Sequence, residues 1–156
     1  MQEYQIRILE NYPELTDELF NKITKAGLLT GSKVFGGYKF GSDNDYIMMY
    51  DEKLIRELRP YSFYSEGSMT NSSTLFTFYV RYKGDYINVI VTKLEEDYDS
   101  WVRTHNLVID MINGCYEFEV MMREKKFRVA QFQLIREHFG WTQDNPFQAV
   151  TSINVT

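Results

Sequence analysis

The sequence predicts an α+β fold, a small twisted mixed β-sheet backed by helices on one side, and three observations predict it. The periodicities run in the order helix, apolar strand-like runs with one interposed helix, then two helical runs. Lys83-Gly84-Asp85 separates two strand-like runs, Leu75–Tyr82 and Tyr86–Thr92, which is a hairpin signal. Leu28–Thr30 and Tyr46–Tyr50 are apolar, uncharged and too short to be helices.

The elements follow in order. Pro13 and Asp17 precede Leu19, Phe20, Ile23 and Ala26, an apolar spacing near 3.6, so a helix is expected over 13–26 with Gly27 as its stop. Leu28–Thr30 is a short strand entering Gly31-Ser32, and a glycine-rich stretch runs on to Gly41. Asp43-Asn44-Asp45 opens the second strand, Tyr46–Tyr50, and Asp51 caps a short helix, 52–58, ended by Pro60. An edge strand is expected over 62–66 and a polar loop over 67–73. After the hairpin come helices over 95–112, ended by Asn113-Gly114, and over 119–138, ended by Gly140. The tail from about 141 has no assigned structure.

The chain has 156 residues, which fits one domain, 1–156. Apolar residues make up 44% and charged residues 25%, the balance of a chain that folds. A net charge of −5 argues against a surface wholly given to nucleic acid or anionic membrane, while leaving room for a local basic stripe. No apolar run approaches the roughly 18–20 residues needed to span a bilayer, so no membrane association is expected. The single cysteine, Cys115, cannot form an internal disulfide, and the polar start has no secretory pattern. A cytoplasmic location is the expectation.

Chemistry concentrates between Leu28 and Ile47. A strand ending in Gly31-Ser32 and running into a short helical turn presents backbone N–H groups and a hydroxyl, which suit phosphate oxygens. Asp43 and Asp45 are two apart, so on a strand both carboxylates share a face. Two hard oxygen ligands side by side suit Mg²⁺ or Mn²⁺, with positions left for water and substrate phosphates. Lys33 and Lys39 flank the glycine-rich segment and are placed for phosphate. Each signal is common alone; their joint order is more specific.

At these residues the chain resembles the nucleotidyltransferase superfamily, whose fold is shared by DNA polymerase β, antibiotic nucleotidyltransferases and minimal toxin–antitoxin nucleotidyltransferases. The family motif is an apolar stretch, Gly then Ser or Gly, about ten residues, then Asp-x-Asp and an apolar strand. Gly31, Ser32, Asp43 and Asp45 fall on it one by one, and the pattern is similar to small phage-encoded members. The resemblance implies transfer of a nucleoside monophosphate from an NTP to a protein, RNA or small-molecule acceptor. Ser32 and nearby amides would hold the phosphates, and Asp43 and Asp45 the metal. It also implies a host-cell cytoplasmic setting, and a homodimer or host protein partner completing the cleft, with the aromatic tail from Trp141 available for that contact. Active members carry a third carboxylate on the strand equivalent to Tyr86–Thr92, and this chain has Asn88 there. An amide can ligate a metal but cannot act as general base, so a catalytically degenerate protein that binds a nucleotide or a host protein is the alternative.

Elsewhere bland explanations are favoured. Arg123, Lys125, Lys126, Arg128 and Arg136 against Glu124 and Glu137 make the last helix basic. It is expected to be a solvated face whose apolar side (Phe127, Ala130, Leu134 and Phe132) packs on the sheet, with phosphate or RNA contact as the alternative. His105 and His138 lack partners at metal-ligand spacing. The Tyr and Phe residues of 61–82 suit a strand-rich core better than base-stacking platforms.

Overall fold

A computed structural model describes residues 12–36, 44–63, 72 and 74–143. The expectations for Asp43, Lys39, the loop 67–73 apart from Ser72, and the tail past 143 lie outside the described residues. The elements are α1 (Asp17–Ala26), β1 (Gly27–Thr30), the short turn α2 (Ser32–Phe35), β2 (Asn44–Met49) and α3 (Glu52–Leu58). There follow β3 (Leu75–Tyr82), β4 (Asp85–Thr92), α4 (Glu95–Gly114), α5 (Tyr116–Met121) and α6 (Lys125–His138). The fold is α+β.

The four strands form one mixed sheet in the order β1-β2-β4-β3. β1 is antiparallel to β2, β2 is parallel to β4, and β3 is antiparallel to β4. The hairpin turns on Lys83 and Gly84, both at positive φ, as the right-handed twist of the flanking strands requires. α1 starts later than its Pro13 suggests because Thr16 is the cap, its Oγ1 accepting from the Leu19 amide at 3.2 Å. Asp51 caps α3 in the same way, accepting from the Leu54 amide, and Pro60 ends it in a 3₁₀ turn, Arg59–Tyr61. In the described part of the expected edge strand, Phe63 pairs with Tyr79 in an antiparallel bridge; residues 64–66 lie outside the described residues.

Helices cover both faces of the sheet, not one. Ile23 of α1 and Leu54 and Leu58 of α3 pack on Met48, Val89 and Val91. Trp101 and Val108 of α4 and Phe132 of α6 pack on Ile47 and Ile90. The physical reason is visible in β2 and β4. Both strands carry Ile, Val or Met on each face, Ile47 and Ile90 on one and Met48, Val89 and Val91 on the other, so both faces have side chains that must be buried.

The expected helix 119–138 is broken at 122–124. The Arg128 guanidinium takes the break, its Nη1 donating to the carbonyls of Met122 at 3.0 Å and Arg123 at 3.3 Å. Of the stripe expected on α6, Phe132 is buried and Phe127 packs against the same cluster, while Leu134 is not part of it. Val129, Phe132 and Arg136 are buried while Leu134, about half a turn away from these three, is exposed. Arg136 is wholly buried and does not belong to a solvated face. Its guanidinium lies 4.5–5.0 Å from the centroids of Trp101, Phe132 and Trp141. Burial pushes it down to about 9, with Glu137 and Asp97 opposing the shift.

Trp141 is itself part of the core, 5.5 Å from Trp101, so this ring is not available to a partner. The two residues after it are tied to Asp97, which is fully buried. Its Oδ1 accepts from the Thr142 amide at 2.7 Å, and its Oδ2 accepts from Gln143 Nε2 at 3.1 Å.

Candidate functional site

The site grows from the end of β1. Thr30 stands in register with Asp45, Asp45 with Asn88, and Asn88 with Tyr79, so four side chains make one row across a single face of the sheet. The Thr30 hydroxyl accepts from Trp101 Nε1 at 3.1 Å, which fixes the strand end against α4. The chain then turns at Gly31, with φ 77° and ψ −160°, a conformation closed to other residue types.

Gly31 and Asp45 touch. A Cβ at position 31 would collide with Asp45 Oδ2 and lie 3.0 Å from its Cγ. The missing side chain therefore makes the space in which the carboxylate lies against the turn. The first internal bonds of α2 run from the Val34 and Phe35 amides to the Gly31 carbonyl, so Ser32 and Lys33 sit at the open start of that turn. Ser32, Lys33 and Asp45 are all half-buried. The structure thus brings together Gly31, Ser32, Lys33 and Asp45, with Asn88 next to Asp45 in the sheet. Asp43 and Lys39 lie outside the described residues.

Asn88 is 4% exposed, and its amide oxygen accepts a hydrogen bond from the Thr77 hydroxyl on β3. Thr77 Oγ1 also lies 3.0 Å from the Val89 carbonyl. The amide is therefore held toward the β3 side of the row, with one oxygen lone pair left over. Asp85 is exposed at the hairpin, and its odd offset from Asn88 puts it on the opposite face.

Sequence reasoning named Arg128 only as one of five basic residues, without tying it to the carboxylate. Burial lowers the pKa of its guanidinium, while Asp45 and then Glu124 act in the opposite direction. Its neighbour Arg123 reaches the same turn, its Cγ lying 3.7 Å from where a Cβ would stand on Gly36. His105 is buried with its ring 5.2 Å from Phe35, beneath the turn, and burial lowers its pKa. A signal for this packing exists in α4. Asp97, Ser100, Trp101, Thr104, His105 and Val108 are one stripe at helical spacing, mostly small or polar.

The chain matches no family model, no curated protein and no solved structure.

Among the described residues no three His, Cys, Asp or Glu side chains converge. One carboxylate against a turn that a Cβ would fill, with an amide beside it, is a donor set of hard oxygens. It suits a divalent cation that keeps water and phosphate as its other ligands. No helix among the described residues is long and apolar enough to cross a membrane.

Proposed function

We propose that this chain is a Mg²⁺-dependent nucleotidyltransferase-like protein that moves a nucleoside monophosphate from an NTP to a hydroxyl-bearing acceptor. The observation that carries it is the Gly31–Asp45 contact. It sets an acid on one strand against the Gly-Ser turn of its neighbour, the juxtaposition a metal-chelated polyphosphate needs. Asp45, together with Asp43, is the holder of Mg²⁺ or Mn²⁺, and Ser32 donates its hydroxyl to a phosphate oxygen. When bound, the ion screens the phosphate charge and polarises the phosphoryl group. An acceptor oxygen forms a bond to the α-phosphorus. The bond from that phosphorus to the α,β-bridging oxygen breaks, and pyrophosphate leaves with the electron pair. Asn88 cannot take a proton, so the acceptor's proton passes to solvent water.

A second reading is favoured by Asn88 itself. A neutral amide already occupied by Thr77 is what a protein that binds a nucleotide without turning it over would carry. Incubation with α-labelled NTPs, Mg²⁺ or Mn²⁺ and cell extract separates the two. Label transfer that disappears in Asp45→Ala supports the transferase. Nucleotide-dependent thermal stabilisation without transfer supports the binder, and no response to any nucleotide counts against both.

A further inference from the structure

Asn88 and Arg128 together shape the charge of the site. An amide at position 88 brings no negative charge to hold a second cation beside Asp45. The Arg128 guanidinium is held next to Arg123, whose side chain packs at Gly36, the end of the Gly-Ser turn. It is anchored through Nη1 to the Met122 and Arg123 carbonyls, which leaves its Nε and Nη2 donors on the remaining edges. The break between α5 and α6 is what brings it there, and Arg123 carries that break to Gly36 at the end of the Gly-Ser turn.

We propose that Arg128 is a phosphate-recognition residue of this site, so that one divalent cation at Asp45 and one guanidinium together offset much of the charge of the bound polyphosphate. The proposal rests on the nucleotide reading above and deepens it. A guanidinium suits the role because its planar fork meets two phosphate oxygens at once and stays charged when half-buried. Its anchoring to two carbonyls orders the side chain before ligand arrives, so little rotamer freedom remains to be lost on binding. The charge balance also closes. Exchanging a carboxylate for an amide makes a site one unit more positive, and exchanging a divalent cation for a guanidinium makes it one unit more negative. Arg128 is thus the counterpart of Asn88: the first supplies the fixed positive charge that the second cannot recruit as metal.

The test counts cations and measures phosphate preference. The full chain is titrated with Mn²⁺ in the presence of a non-hydrolysable ATP analogue, with bound ion counted by electron paramagnetic resonance. Wild type, Arg128→Gln and Arg128→Lys are then compared for their affinity toward the analogue and toward AMP. One Mn²⁺ per chain is expected. The ratio of analogue to AMP affinity is expected to fall by about tenfold or more in Arg128→Gln and by less in Arg128→Lys. That ratio is insensitive to a folding defect, which would weaken both ligands alike. Two Mn²⁺ per chain, or an unchanged ratio in Arg128→Gln, overturns the proposal and leaves the nucleotide site standing. A wild-type chain that binds neither nucleotide overturns that site and the role of Arg128 with it.

Discussion

Replacing Gly31 with alanine loads the strand–turn junction in two ways. The residue sits at φ 77° and ψ −160°, where an L side chain costs about 1–3 kcal/mol. The new methyl also collides with Asp45 Oδ2 and comes within 3.0 Å of Cγ, so the carboxylate has to leave its position or the turn has to open. Driving the acid off its rotamer adds about 0.5–1.5 kcal/mol. A loss near 3 kcal/mol is therefore expected, which for a chain of this size is a fall in Tm of about 6–12 °C. The assay is thermal and urea unfolding of Gly31→Ala, Asp45→Gly and the double variant. The cycle divides the two causes: the backbone strain survives in the Asp45→Gly background, while the collision term vanishes and appears as coupling. A Gly31→Ala protein with unchanged stability would refute the left-handed turn. A zero coupling with Asp45→Gly would refute the contact on which the site is built.

Asp97→Ala, which strips the acceptor from Thr142 and Gln143, should destabilise by about 2–4 kcal/mol in urea titrations and expose the chain after Trp141 to limited proteolysis. Arg136→Met, which fills the same volume among three rings without a charge, should leave Tm unchanged or raise it. Arg136→Ala should cost about 2–5 kcal/mol through the cavity it opens. His105 has its pKa lowered below the ordinary 6.5, so the unfolded chain binds its proton first. Stability should fall as pH drops through 6.5 toward the folded value, and His105→Gln should flatten that part of a Tm–pH profile. Asn88→Asp should increase label transfer in the presence of Mg²⁺, and an unchanged rate would mean that position 88 does not touch the reacting groups.

Legibility in the sequence followed how local each cause was. The hairpin at Lys83-Gly84 and the Asp51 cap depend on neighbours a few residues apart, and both stand where the sequence put them. What escaped was tertiary. The break at 122–124 depends on Arg128 reaching back to two carbonyls, which no periodicity records. Arg136 looked like one more surface cation until three rings closed around it. Covering both sheet faces was readable in principle from β4, which sets Ile87, Val89 and Val91 on one face and Ile90 on the other, but a count of helices did not say on which side each would lie.

Co-crystals with Mn²⁺ and a non-hydrolysable NTP put the proposed site to its most direct trial. An anomalous peak at ligating distance from Asp45, with the triphosphate lying over Gly31-Ser32, is the result expected. Nucleotide bound at another face, or a metal peak remote from Asp45, would contradict it.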